Sequence, residues 1–197
     1  MSGQWDLYGT SGNSPNDAYR IPIGYWSIPL TSSDTSESTS AAPYITGAWT
    51  YFLRALAWAK KYNINVILDL HGAPGSQNGY DNSGQMTNDP VWALNKSNVT
   101  RTVDTIRFLA KTVGSQVSVI ELLNEAGGYR GDDWANVTRQ FWLDGYAAVR
   151  EVVGLGVQVM IGDAFLGINV IFFVFVFCFN ERNLTSVIML IRAGLVF

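Results

Sequence analysis

Four short, largely apolar segments, separated by stretches with helical periodicity, constrain the fold of this 197-residue chain more than any other feature. The segments lie near 20–26, 64–70, 117–124 and 157–161. Each is too short for a typical helix and is therefore predicted to be a strand. Between them, apolar residues recur at helical spacing over Ala48–Tyr62, Val99–Val113 and Trp134–Val153. This repeated strand–helix order predicts parallel strands joined by right-handed crossovers, which is an α/β fold.

Polar or otherwise unusual side chains follow each predicted strand at the point where it ends. They are Tyr25 with Trp26, His71, Asn124 with Glu125, and Asp163. This regularity indicates one functional face built from strand ends, as in a (β/α)8 TIM barrel, whose active site lies at the carboxyl ends of the strands. A doubly wound sheet is the alternative, although no glycine-rich phosphate fingerprint follows a strand at the required spacing.

Glu125 and His71 carry the clearest chemistry of this set. A buried strand delivers Glu125 to a loop that Gly127 and Gly128 open, which suits catalysis better than stability. A solvated strand-end carboxylate is the other interpretation. His71 is the chain's only histidine. A lone histidine is more often structural, but this one follows a strand and opens a glycine-rich loop, which favours a role in a site.

Composition excludes some functions and leaves others open. The net charge of −3 and the isoelectric point near 5.0 give no electrostatic case for a nucleic-acid partner. The single cysteine, Cys178, excludes an intramolecular disulfide. Seven Trp and nine Tyr suit sugar binding, because their flat rings stack on the apolar faces of pyranoses. No metal cluster, cofactor loop or signal peptide is apparent in the sequence, so neither a metal nor a cofactor is expected.

The chain divides into two regions by composition. Residues 1–19 are polar and predicted to be loop or disordered, and they open a predicted barrel domain over 1–169. Residues 170–197 form an atypical apolar tail. Its uncharged run, which extends from Phe165 to Phe179, is shorter than the roughly 20 residues that span a bilayer. A membrane anchor is therefore not expected.

Three segments together resemble the fungal exo-β-1,3-glucanases, or glucan 1,3-β-glucosidases, of glycoside hydrolase family 5. They are the segment Arg20-Ile-Pro-Ile-Gly-Tyr-Trp26, the loop sequence 68–79 with Asp81-Asn-Ser-Gly84, and Ile120-Glu-Leu-Leu-Asn-Glu125. The run His-Gly-Ala-Pro-Gly-Ser-Gln-Asn-Gly that begins at His71 is highly specific to that group. The resemblance covers roughly 19–169. It implies a (β/α)8 barrel that hydrolyses β-1,3-glucan, outside the cell or in the cell wall, with retention of configuration.

The resemblance also implies roles for individual residues. Glu125 would be the acid/base, and Asn124 would hydrogen-bond the sugar 2-hydroxyl. The other residues implied to bind substrate are Arg20, Tyr25, His71 and Asp163. The nucleophilic glutamate of the family lies on a later strand, and no segment of this sequence matches it; the context of Glu181, Asn-Glu-Arg-Asn, does not fit.

About four βα units are recognisable, whereas a complete barrel takes about 250 residues. The expected architecture is therefore an incomplete barrel of a truncated family member. Three functions follow as hypotheses. They are a retaining glycosidase, a glucan-binding remnant without catalysis, and a truncated product without function. The sequence leaves the oligomeric state open.

Overall fold

A computed structural model of the chain describes residues 18–162 and 164–165, together with the backbone of 174–179 and 187–191. The strands are β1 (Ala18–Gly24), β2 (Asn65–Gly72), β3 (Val119–Glu121), β4 (Gln158–Ile161), β5 (Val174–Phe179) and β6 (Val187–Ile191). The helices are α1 (Ala48–Lys61), α2 (Lys96–Val113) and α3 (Asp132–Val153). Each helix connects two successive strands between β1 and β4, which confirms the predicted α/β alternation.

The six strands form one sheet in chain order. Strands β1 to β4 are parallel, whereas β5 pairs antiparallel with β4, and β6 pairs antiparallel with β5. The parallel strands never reverse their order, as a doubly wound sheet would require. This order is the one found in barrels. Among the described strands the sheet is open, since β1 pairs only with β2 and β6 only with β5. Closure into a barrel therefore stays a prediction.

The observed boundaries differ from the predicted ones where a local interaction decides them. Helix α2 begins at Lys96 rather than Val99 because Asn95 caps it, its Oδ1 accepting from the Ser97 N–H at 3.0 Å. Pro22 lies in β1, which pairs only with β2 among the strands that the structure describes, so its missing N–H interrupts no inner ladder of those strands. The predicted boundary between 169 and 170 lies outside the described residues.

The two faces of the parallel sheet have different chemistry. Successive side chains on a strand point to opposite faces. Leu68 and Ile120 belong to the hydrophobic core that the sheet shares with its helices. The alternate residues Asp69 and Glu121 are register partners on β2 and β3 and lie on the other face. One face therefore stabilises the fold, and the other presents buried carboxylates.

Aromatic residues close the core between the helices. Phe141 on α3 is fully buried and meets the fully buried Trp92 edge to face, with ring centroids 5.2 Å apart.

Within the described ranges, no helix has both the length and the apolar character needed to cross a bilayer.

Replacing Phe141 with alanine is expected to lower the free energy of unfolding by about 3–5 kcal/mol, because it leaves a cavity against Trp92. Urea denaturation measures this change. Leu143, on the same helix but 64% exposed, is the matched control, and its alanine variant is expected to change stability by no more than about 0.5 kcal/mol. Equal effects of the two substitutions would contradict this packing.

Candidate active site

The structure brings four of the predicted site residues together near the carboxyl ends of β2 and β3, where the side chain of Arg20 reaches them from within β1. Arg20 of β1 donates from Nη2 to Oδ1 of Asn124 at 2.7 Å. The same nitrogen lies 3.1 Å from Oδ2 of Asp69, which in turn meets Nδ1 of His71 at 2.5 Å. Glu125 follows Asn124 directly. The strand-end residues His71, Asn124 and Glu125 and the side chain of Arg20 thus lie in one polar cluster. That this cluster is a functional face stays a prediction.

The Arg20 guanidinium is held mainly by Glu121, a residue not predicted to belong to the site. Its Nε donates to Oε2 of Glu121 at 2.7 Å, and its Nη2 donates to Oε1 at 2.9 Å. Two parallel charge-assisted hydrogen bonds fix both distance and orientation. Burial opposes the charged form of Arg20, but the carboxylates of Glu121 and Asp69 outweigh it and raise the arginine pKa. The cation is therefore permanent.

Glu121 is a buried carboxyl whose charge is costly. Only 7% of the Glu121 surface is exposed to solvent. Burial and the charge of Asp69 raise the pKa of Glu121 from its ordinary 4.5 to about 7, although the two hydrogen bonds from Arg20 act in the opposite direction. Asp69 is fully buried, and its Oδ1 has no hydrogen-bond partner among the residues that the structure describes. One guanidinium thus serves two carboxyl groups.

Asn124 is oriented on three sides and left open on one. Its N–H donates to the carbonyl of Leu70 at 2.9 Å, and its carbonyl accepts from Nε2 of Gln77 at 3.0 Å. Its side-chain oxygen accepts from Arg20. The residue is 6% exposed, yet its Nδ2 has no partner in the described part of the chain. A buried donor without an acceptor is unfavourable, so a ligand oxygen that accepted from Nδ2 would be bound favourably.

Glu125 has a strained backbone and a polar neighbour. Its φ of +48° lies in the left-handed region, which residues other than glycine seldom adopt. Such conformations cluster at functional sites, where the surrounding structure holds them. Its side chain is half-buried and accepts a hydrogen bond from Nδ2 of Asn82. Asn82 is in turn held by Nδ2 of Asn78 at 3.0 Å. The loop after β2 therefore reaches across to the loop after β3.

The fully buried Gln77 links the loop after β2 to the loop after β3. Its Oε1 accepts from the N–H of Ala73 at 3.1 Å, and its Nε2 donates to the carbonyl oxygens of His71 and Asn124 at 2.8 and 3.0 Å. Every polar atom of the side chain is thus paired. Gln77 fixes the position of Asn124 relative to His71.

Trp26 packs against the strand end that carries His71, whereas Tyr25, the residue predicted to bind substrate, lies elsewhere. A Cβ atom placed on Gly72 or Gly84 would lie 2.7 or 2.3 Å from another atom, in each case against the Trp26 ring. The Tyr25 ring is buried, with the Arg101 guanidinium carbon 4.7 Å from its centroid. Its described contacts do not reach the Arg20 cluster, so the role predicted for Tyr25 gains no support.

Sequence reasoning missed four residues of this site: Asp69, Gln77, Asn82 and Glu121. Two signals were available. Asp69 and Glu121 interrupt otherwise apolar strand segments with a charge, and Gln77 and Asn82 stand inside the specific loop motif. Asp163, a predicted substrate-binding residue, lies outside the described residues. Within those residues, no group of three His, Cys, Asp or Glu side chains is arranged to hold a metal ion.

Solved structures with a similar fold include glycoside hydrolases. The rutinosidase of Aspergillus niger has a similar fold, with a TM-score of 0.57 and 24% identity over 75% of this chain and 44% of the rutinosidase chain. A structure described as a glycoside hydrolase has a TM-score of 0.51 and 21% identity over 81% of this chain and 51% of its own. The α/β sheet is thus one that glycoside hydrolases share.

Sequence comparison identifies nearer relatives. The glucan 1,3-β-glucosidase of Schwanniomyces occidentalis is 42% identical over 154 residues, which are 76% of this chain and 33% of the relative. That of Blumeria graminis is 42% identical over 75% of this chain and 32% of its own length. The matched part of this chain is therefore homologous to a segment of the fungal glucan 1,3-β-glucosidases, which confirms the predicted resemblance.

The chain spans about a third of the length of the curated relatives that it matches. No family model matches the sequence. The assignment to family 5 in particular stays a prediction.

The raised pKa of Glu121 predicts a pH-dependent stability. Between about pH 4.5 and about pH 7 the folded state holds a proton on Glu121 that the unfolded state has lost, so the free energy of unfolding falls as the pH rises. Glu121→Gln should remove this fall, which amounts to at most about 3 kcal/mol. Urea denaturation at several pH values tests it. An equally steep fall in the variant would assign the pH dependence to another group.

Proposed function

We propose that this chain carries the acid/base side of a β-1,3-glucan hydrolase that retains configuration. The observation that supports the proposal most is the convergence of Arg20, His71, Asn124 and Glu125 at one end of the sheet, within a segment homologous to glucan 1,3-β-glucosidases. By the same resemblance, we place the protein outside the cell or in the cell wall, with β-glucan as its partner.

The residues divide the chemistry among them. In the first step Glu125, as the acid, gives its proton to the glycosidic oxygen of the leaving sugar while a second carboxylate attacks the anomeric carbon. In the second step the Glu125 carboxylate removes a proton from water, which displaces that carboxylate from the anomeric carbon. The free Nδ2 donor of Asn124 is suited to the sugar 2-hydroxyl, where the hydrogen bond strengthens in the transition state. Arg20 and His71 position these groups.

The second carboxylate must be free to attack, and this requirement limits the choice. Asp69 and Glu121 are both engaged by Arg20 and buried on the sheet. Their place in this network argues against either as the nucleophile. The nucleophilic carboxylate of the proposed mechanism therefore lies outside the described residues.

The same observation favours a second candidate function, which is glucan binding without hydrolysis. A site with Asn124 and Glu125 but no free nucleophile would retain hydrogen bonds to the sugar while losing turnover. The two functions share the binding step and differ only in whether a glycosidic bond is broken. A measurement of binding and a measurement of sugar release therefore separate them.

The binding step predicts retention of the chain on insoluble β-1,3-glucan and not on cellulose. Asn124→Ala removes the unpaired donor and should weaken retention by about tenfold, since a hydrogen bond to a buried group contributes about 1–1.5 kcal/mol. Asn136→Ala, at an exposed position of α3, is the control and should bind as the unchanged protein does. Equal retention of both variants would contradict the role of Asn124.

In a longer form of the protein that releases sugar from a soluble β-1,3-glucan, Glu125→Gln is expected to lower that release at least about 100-fold, because the amide cannot donate the proton. Binding should stay within about twofold, because glutamine has the shape of glutamate and its amide oxygen can still accept the hydrogen bond from Asn82. Glu151→Gln, at an exposed carboxylate of α3, should leave release unchanged. Unchanged turnover of the Glu125 variant would contradict its assignment. Binding of the unchanged protein without sugar release would favour the second candidate.

A further inference from the structure

Three buried acceptors, on Asn124, Asp69 and Glu121, share one nitrogen of Arg20. Its Nη2 donates to Oδ1 of Asn124 at 2.7 Å and lies 3.1 Å from Oδ2 of Asp69. The same Nη2 donates to Oε1 of Glu121 at 2.9 Å, and the neighbouring Nε donates to Oε2 at 2.7 Å. This pair of hydrogen bonds fixes the guanidinium and so keeps Nη2 at Asn124. Asp69 alone would leave the arginine head group free to rotate about its side chain.

We infer that Glu121 is a positioning residue: its carboxylate orients Arg20, and Arg20 fixes the amide of Asn124 so that the Nδ2 donor is left for a glucan hydroxyl. The glucan part of this inference rests on the proposed function. The orientation part does not, because it concerns contacts within the chain.

An asparagine amide needs such a partner to present one end to a ligand. Its oxygen and nitrogen are almost equal in size, so packing alone does not distinguish the two orientations that differ by a half turn. A guanidinium has donors only and can therefore contact only the oxygen. The 2.7 Å contact of Arg20 with Oδ1 selects one orientation, and the donor Nδ2 is then the atom without a partner.

The charge of Glu121 decides how firmly Arg20 is held. The groups that face Glu121 are Arg20 from β1 and Asp69 and His71 from β2, whereas β4 places the uncharged Met160 beside it in register. Protonation turns one accepting oxygen of Glu121 into a hydroxyl and removes its charge, which weakens both arginine contacts. Asp69 then competes better for Nη2. Since the pKa of Glu121 is raised to about 7, this change falls near neutral pH.

The orientation can be measured without a ligand by nuclear magnetic resonance of the side-chain amide of Asn124, labelled with ¹⁵N and assigned by its loss in Asn124→Ala. Its signal should shift with pH through a midpoint near 7. The shift should be absent in Glu121→Gln and retained in Glu151→Gln, which removes an exposed carboxylate that also meets an arginine. A residue that only supports the fold would not link the Asn124 amide to this titration.

The consequence for binding is measured by calorimetric titration with a β-1,3-linked glucose trisaccharide at about pH 5.5 and about pH 8.5, on either side of the midpoint. The dissociation constant should fall by about five- to tenfold at the higher pH, as for one charge-assisted contact. In Glu121→Gln it should change by less than about twofold and match the weaker value. A pH-dependent step that persists in this variant would overturn the inference and assign the step to another group.

The two measurements separate the inference from the proposed function. An Asn124 signal that titrates through Glu121 in a protein that binds no trisaccharide would uphold the positioning role and overturn the glucan site. If the protein binds the trisaccharide but Glu121→Gln leaves the Asn124 signal unaffected, the glucan site would be upheld and the positioning role overturned. If Glu121→Gln does not unfold cooperatively, Arg20→Lys replaces it, because lysine keeps the charge but cannot form the fork, and it should likewise remove the pH step.

Discussion

The polar face of this protein depends on one guanidinium. Arg20 links β1 to Asp69 on β2 and to Glu121 on β3, and then to Asn124 beyond the end of β3. Parallel strands bring like polar groups to one level of the sheet, and a permanent cation is what allows two buried carboxyl groups to stand side by side there.

This arrangement lowers the free energy of unfolding but holds the polar side chains of the site in fixed positions. The raised pKa of Glu121 means that the folded chain resists holding its charge. The unpaired Oδ1 of Asp69 and Nδ2 of Asn124 are further unfavourable features within the described residues. An apolar layer at this level would fold more favourably. The polar groups are instead concentrated at one end of the sheet, beside the left-handed backbone of Glu125, which is where a reaction would use them.

The loop motif after β2 serves the same end. Gln77 binds the main chain of both His71 and Asn124, while Asn82 reaches the Glu125 side chain. Trp26 fills the space that Gly72 and Gly84 leave open. The loop forms hydrogen bonds to the neighbouring strand end at several points, and this accounts for its length. Each point requires a particular side chain, or a glycine where Trp26 packs, and this accounts for its specific sequence.

The sequence by itself determined the order of helices and parallel strands, since apolar periodicity depends only on which residues must be buried. It also determined that His71, Asn124 and Glu125 follow strands, and the loop that begins at His71 carried the resemblance to the glucan 1,3-β-glucosidases. Only the tertiary structure decided the contacts of Glu121 and Asp69, because a charge inside an apolar strand acquires its meaning from the residue opposite it on the next strand. The same holds for the choice of Trp26 over Tyr25 as the ring against Gly72. Both rings follow the same strand, and the side that each faces depends on packing across the chain.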